Sequence, residues 1–332
     1  MTLKTKLLRM TAALAVVVGA ALVLGVPNQS KAEYPTKPIT LMVGFSAGGG
    51  TDVYARGLAS FIHEHLGQPM IVVNKPGAAG MIAARAVKGM PSDGYTLYII
   101  NAGTFIAKAM MDGEKAAVHP LRDMQPLGAV GQFVTSLLVP ADSPFKSAKE
   151  LIAHAKANPG KLRWSHPGRG TTNMMAGALF LQETGITAQD VPFKNAALAR
   201  NAVAGNQVDF AFVGIHNMAG FESKVRAFGV TNNERDKLFK DVPTFDEQGL
   251  PQLGIAGPVA VFGNKDLPAD VVAKVKDAVK KVATSKGYVN LLKKAGAVGF
   301  HRSAEDVLKQ VDSMAKKFAP VVAELRKAKK GK

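Results

Sequence analysis

The sequence predicts an α/β fold of two lobes joined by crossing strands, with mainly parallel sheets. Three observations predict it. Strand-like apolar runs alternate with helix-like stretches along the chain. A glycine-rich turn leads from a strand into a helix once in each half, at Ser46–Gly50 and at His166–Asn173. Between them, Val130–Pro140 is a long apolar run without helical period, which suits a strand passing from one lobe to the other.

The first unit carries the most information. Ile39–Gly44 reads as a buried strand, Ser46–Gly50 as a glycine turn, and a helix opens at Thr51-Asp52. Glycines leave no side chain between the turn backbone and a ligand, and a helix N-terminus offers unpaired N–H donors at the positive end of its dipole. Such a segment is suited to a carboxylate or phosphate, although a tight strand-to-helix connection without a ligand uses the same residues. Next come Met70–Asn74 (strand), Ala79–Lys88 (helix), Tyr95–Asn101 (strand) and Thr104–Met111 (helix). Ser147 and Glu150 have capping-box spacing and open a helix ending near Asn158-Pro-Gly160.

The second half repeats the theme. Lys161–Ser165 is a strand, His166–Asn173 the second glycine-rich turn, and Met174–Glu183 a helix. Ile186–Phe193, Ala196–Ala204 and Val208–Val213 follow as strand, helix and strand, then Val225–Thr231 as a strand and Gly257–Phe262 as the return crossing. Two amphipathic helices close the chain, Pro268–Ala283 and Ala304–Arg326. In the second, Val307, Val311, Met314, Phe318 and Val321 recur at three- and four-residue spacing and mark a core face. Two lobes that each present a helix N-terminus describe a hinged clamp with its ligand between them.

The 332 residues carry a formal charge of +17 and no cysteine. Disulfides, thiolate metal sites, a cysteine nucleophile and a lipid anchor on an N-terminal cysteine are thereby excluded. Residues 1–32 read as an export leader: Lys4, Lys6 and Arg9, an uncharged and largely apolar run Met10–Val26, then Ser30-Lys31-Ala32 as a small-x-small site. Cleavage after Ala32 and a periplasmic location are expected; an uncleaved anchor is the alternative, because the apolar run approaches spanning length. The basic balance favours acidic partners such as anionic solutes. Nucleic acid is not expected, since no basic stripe is interleaved with aromatics. The basic end Arg326–Lys332 is expected to be a frayed, solvated tail. The histidines show no metal spacing: His63 and His65, two apart, fall on different helix faces. Ser165 and His166 are chain neighbours without a nucleophile elbow, so neither a cofactor nor an enzyme is expected.

Several motifs stand in the order and spacing of a known family. They include Tyr34-Pro-x-Lys-Pro-Ile39, Gly48-Gly-Gly-Thr-Asp52 with Arg56, Leu66-Gly-Gln-Pro69 and Val73-Asn-Lys-Pro-Gly-Ala-Ala-Gly80. Further along stand Asp93-Gly-Tyr-Thr-Leu97, Asn158-Pro-Gly-Lys161, Val191-Pro-Phe-Lys194, Gly205-Asn-Gln-Val-Asp209 and Glu247-Gln-Gly-Leu-Pro251. Over residues 33–325 the chain resembles the extracytoplasmic solute receptors of tripartite tricarboxylate transporters, the Bordetella uptake gene (Bug) family. The resemblance implies a type II periplasmic-binding-protein fold, a monomer that closes on a small organic acid and delivers it to membrane permease subunits. It implies a first lobe of 33–138 plus 260–332 and a second of 139–259. A receptor feeding a signalling partner is the alternative, and a phosphate-ester enzyme a more remote one.

Carried over by position, the first gripping loop is Phe45, Ser46, Ala47, Gly48, Gly49, Gly50, Thr51 and Asp52. The second holds His166, Gly168, Arg169, Gly170, Thr171, Thr172 and Asn173. Thr104, Phe193, Asn195 and Gly214 complete the expected cleft. The chain departs from the family where Ser165-His-Pro-Gly-Arg-Gly-Thr-Thr-Asn173 replaces the usual Ser-x-Gly-x-Gly-Ser-x-His, and where Phe193-Lys194-Asn195 replaces Tyr-Lys-Gly. Asp52 serves the helix dipole, orders the glycine loop or meets an ammonium on the ligand, and Arg56 is placed to pair with it. Arg169 is either a ligand contact or a solvated charge. Phe45, Phe105, Phe193 and Phe212 line an apolar cleft or belong to the core.

Overall fold

The computed structural model describes residues 33–330; the expected leader and the last two residues of the basic tail lie outside the described residues. Residues 33–36 belong to a separate short unit and have no regular structure. From Lys37 the chain runs through β1 (Ile39–Val43), α1 (Gly50–Leu66), β2 (Met70–Asn74), α2 (Met81–Lys88), β3 (Thr96–Asn101) and α3 (Ala102–Asp112). The long β4 (Met124–Pro140) leads to α4 (Ala148–Ala157), β5 (Arg163–His166), α5 (Thr172–Thr184), β6 (Gln189–Pro192), α6 (Ala196–Ala204), β7 (Phe210–Gly214) and β8 (Val225–Val230). The chain then returns through β9 (Ala256–Asn264), α7 (Ala269–Thr284), α8 (Lys286–Lys294), β10 (Val298–Arg302) and α9 (Ala304–Lys330).

The strands follow one path, β2-β1-β3-β9-β4-β7-β5-β6, with β10 and β8 also paired to β4. Each lobe contains a parallel trio: β1 with β2 and β3, and β5 with β6 and β7. Every pairing made by β4 and β9 is antiparallel. The expectation of mainly parallel sheets therefore holds only for the outer strands. Topology explains this: β9 re-enters the first lobe from the second, so it runs against β3 and β4 and inserts between them.

The switch between sheets is local. Met124–Val134 of β4 pairs with β9, whereas Thr135–Pro140 pairs with β7 and β8. β9 begins at Ala256, opposite Val134. At this level Thr231 N donates to Thr135 O (2.9 Å), Ile255 N donates to Thr231 O (2.9 Å), and the Thr231 hydroxyl donates to Ile255 O (2.8 Å). The lobe boundaries read from the sequence, 138/139 and 259/260, stand a few residues further along each strand.

Two tyrosines seat the crossing strand. The buried Tyr54 hydroxyl of α1 lies within hydrogen-bond reach of Gln132 O (3.0 Å) and Val298 O (3.1 Å), and Tyr288 of α8 donates to Val130 O (2.9 Å). Neither α8 nor β10 was legible in sequence. β10 is half-buried throughout and shows no alternation, and α8 spans only nine residues including Gly287, too few for its periodicity to decide. α9 does show one: its stripe of Val307, Val311, Met314, Phe318 and Val321 is buried against α3, α5 and β4. Fully burying side chains of this kind contributes about 1.5–3 kcal/mol each. The basic end is helical through Lys330 rather than frayed from Arg326 onward: alanine, lysine and arginine are good helix formers, and Arg326 donates to Met110 O.

Phe105 and Phe212 belong to the core, not to a cleft. Phe105 packs edge-on against Tyr98 and Phe262, and Phe212 lies against Trp164 and Phe180.

A methyl at Gly131 would lie 2.2 Å from the Tyr54 ring and 2.6 Å from Val298 O. Gly131→Ala is expected to destabilise the protein by about 1–3 kcal/mol through overpacking, read from the midpoint of urea unfolding at unchanged slope.

Candidate ligand-binding cleft

The first loop is fixed by Asp52, which is buried in the first turn of α1. Its Oδ2 accepts from Gly48 N (2.9 Å) and Arg56 Nε (2.8 Å), and its Oδ1 from Asn74 Nδ2 (2.8 Å). Asn74 Nδ2 also reaches Phe45 O (3.0 Å). Gly48 takes φ +76°, a backbone that glycine adopts without strain. Burial alone would raise the Asp52 carboxyl, but the bonds from Arg56, Gly48 and Asn74 outweigh it and hold the group below its ordinary value. Of the roles open to Asp52, the geometry supports ordering of the glycine loop.

That ordering leaves the start of α1 open. Gly49 occupies the N-cap and supplies no side-chain cap. The amides of Gly50, Thr51 and Asp52 meet no acceptor among the described residues, whereas Val53 N already donates to Gly49 O. Ser46, Ala47 and Gly48 are exposed. A methyl on Gly50 would come within 2.8 Å of the Phe133 ring and 3.0 Å of His216 Nε2. Phe133 (β4) and His216, which follows β7, stack at 5.0 Å and 28°. An N-terminus of a 17-residue helix thus faces two rings, one from the crossing strand and one from the second lobe.

The second loop is built differently. The fully buried His166 is within 2.6 Å of Asp190 Oδ1 through Nε2, and its Nδ1 accepts from Gly168 N (3.1 Å), which makes Nε2 the protonated nitrogen. Arg169 pairs with the other Asp190 oxygen while its side chain stays more than half exposed, so it is a solvated charge that already has a partner. The Thr171 hydroxyl bonds Gly168 O (2.8 Å) and caps Met174 N (3.2 Å). Thr172 N donates to Thr104 Oγ1 (3.1 Å), the two threonine hydroxyls lie 3.1 Å apart, and that of Thr172 donates to Asn101 Oδ1 (2.7 Å). Asn173 donates to Thr135 Oγ1 (3.2 Å). The start of α5 is therefore largely capped by protein, and Thr104, Thr171 and Thr172 bond within the fold. Gly170 packs under Lys108, Asn195 caps α6 through Leu198 N (2.9 Å), Phe193 N donates to His166 O, and Gly214 O accepts from Asn217.

Sequence reasoning missed Phe133, His216 and Asp190. Phe133 lay inside an apolar run with nothing to mark the crossing point. His216 stood two residues past Gly214, close enough for a strand-end argument to reach it. Burial, followed by the positive charge of Arg200, pushes the His216 imidazole down to about 4, so it is neutral at ordinary pH. Among the described residues no group of three or more His, Asp or Glu is placed to hold a metal.

Residues 54–326 match the tripartite tricarboxylate transporter family receptor. The chain belongs to that family. It is a family of periplasmic solute-binding receptors, not of enzymes. A Cupriavidus necator protein, UPF0065 protein in gbd 5′region, is 30% identical over 91% of this chain and 92% of its own. MatC from Rhodopseudomonas palustris with bound malate is 28% identical, with a TM-score of 0.78 over 87% of this chain and 100% of its own. An R. palustris protein with adipate is 26% identical, with a TM-score of 0.78 over 87% and 98%. These likenesses agree with the two-lobed type II architecture.

Asp52→Asn is expected to destabilise the receptor by about 1–2 kcal/mol at pH 7, a figure reduced because Arg56 is solvent-exposed. A depressed carboxyl stabilises fully above its unfolded value near 3.8 and loses that contribution as pH falls through its folded value. Melting curves of the two proteins should therefore converge below about pH 4; a gap that stays constant into acid would contradict the assignment.

Proposed function

We propose that this receptor binds a small organic carboxylate at the free amides of α1, closes its lobes around it in the periplasm, and delivers it to the permease of a tripartite tricarboxylate-type transporter. It would act as a monomer and without a cofactor. The observation that carries the reading is the uncapped start of α1, with the amides of Gly50, Thr51 and Asp52 unmet beside Phe133 and His216. Unmet amides at the positive end of a helix favour an anion, and a buried carboxylate needs such donors to offset its desolvation. Asp52 does not oppose this, because its charge is neutralised by Arg56 and its oxygens are already bonded. The malate and adipate held by the two R. palustris relatives support the carboxylate class.

The lobes would move about Val134/Thr135, where β4 changes sheets, and about Ile255/Ala256, where β9 begins. Closure would bring the second loop, held by His166 and Asp190, over a ligand seated on α1. Phe133 and the neutral His216 would meet its carbon body, while Arg169 would either keep Asp190 or exchange it for the ligand.

Thermal-shift and calorimetric titration with malate, adipate and their amides tests the reading. A carboxylate should raise the melting temperature and its amide should not. If neither these acids nor other short mono- and dicarboxylates bind, the reading is wrong.

Gly50→Ala, which crowds the amides with a methyl against Phe133, should weaken the bound acid at least tenfold while the protein stays folded. Because His216 titrates near 4, affinity should vary less than twofold between pH 6 and 8. A steep change across that range would show a titrating group in the site.

A further inference from the structure

A second cavity, of about 220 Å³, lies on the other face of the crossing strand. Gly131 and Phe133 turn toward Tyr54 of α1, so strand alternation puts Gln132 and Val134 on the opposite face. There, Val134 forms an apolar floor with Val298 and Phe300 of the paired β10. The segment that leaves β8, from Asn232 to Lys237, supplies a wall.

The polar groups of this cavity are incomplete. Arg302 Nε and Gln132 Oε1 are both buried with no hydrogen-bond partner. A buried donor or acceptor left unmet costs about 1–3 kcal/mol, more for a charged group. Lys237 and Glu234, which also line the cavity, make no ion pair among the described residues. Their neighbours are committed elsewhere: Arg235 to Glu247 (2.9 and 3.0 Å), and Asp236 to the amides of Leu238 and Phe239. The Arg302 guanidinium also lies over the Phe300 ring at 5.1 Å. Two unmet buried atoms, Arg302 Nε and Gln132 Oε1, and two exposed charges of opposite sign, Lys237 and Glu234, thus surround an apolar floor.

We propose that this cavity is a second solute site, and that it takes a small zwitterion of the α-amino-acid class. The carboxylate meets Arg302 and Lys237, the ammonium meets Gln132 Oε1 and Glu234, and a short apolar side chain covers Val134, Val298 and Phe300. An anion alone leaves Gln132 Oε1 and Glu234 unmet, and an amine alone leaves Arg302 and Lys237 unmet. Water meets the polar atoms but leaves the apolar floor wetted. The volume equals about seven waters' share of liquid, the scale of valine. This site does not depend on the reading of the cleft.

The test is calorimetric titration of the Gly50→Ala receptor, whose cleft is weakened, with glycine, L-alanine, L-valine and L-leucine; the Arg302 and Glu234 variants tell this site from the cleft. Isovalerate and isobutylamine, which each keep one of valine's two charges, are the controls. Saturable binding of at least one amino acid is expected, with both controls at least tenfold weaker than valine. Arg302→Gln should weaken it at least tenfold; should that variant fold poorly, Glu234→Gln, at an exposed position, reads the ammonium side. No saturable heat with any of the four overturns the proposal. So does isovalerate binding as tightly as valine, or binding unchanged in both variants.

Discussion

One strand belongs to two sheets, and the rest of the molecule is arranged around that fact. β4 pairs with β9 as far as Val134 and with β7 and β8 from Thr135, so each lobe is completed by a segment of the same strand. A strand shared in this way cannot slip, because a one-residue shift would turn its side chains to the wrong face in both lobes at once. Tyr54 and Tyr288 reinforce the register by bonding carbonyls of β4 or its neighbour β10. The same register places Phe133 beside the start of α1 and Gln132 on the opposite side. Both regions argued to hold solutes are consequences of one strand's alternation.

The lobes contribute unequally to the cleft. In the first, Asp52 holds the glycine loop from within and leaves the helix amides unmet. In the second, Thr171 and the Thr104–Thr172–Asn101 chain take up the helix start, and His166 with Asp190 fixes the loop. An anion held by backbone dipoles needs no lysine or arginine in the first loop, which leaves the charge of the site to the ligand. Selection among acids would then fall to the surrounding side chains.

The alternation of elements, the glycine turns, the core stripe of α9 and the pair of crossing strands were legible in the sequence, because each rests on local periodicity or on backbone chemistry that only glycine supplies. α8 and β10 were not, since packing rather than propensity stabilises such short segments. Within the candidate site, the first loop was read closely, down to the Asp52–Arg56 pair. Thr171 and Thr172 of the second loop, and Thr104 beside it, are expected from sequence to line the cleft, and the structure shows their hydroxyls bonded to the protein. A hydroxyl's partner depends on which helix lies across from it, and spacing along the chain carries no such information.

By itself the sequence determined the fold class, the family and the glycine turn that opens α1, because glycine conformations, caps and periodicity are properties of neighbouring residues. Only the tertiary structure decided that β9 inserts antiparallel between β3 and β4, that Arg169 meets Asp190, and that Phe133 and His216 face the amides of α1. Those outcomes are contacts between residues far apart in the chain, set by how two lobes fold back along shared strands.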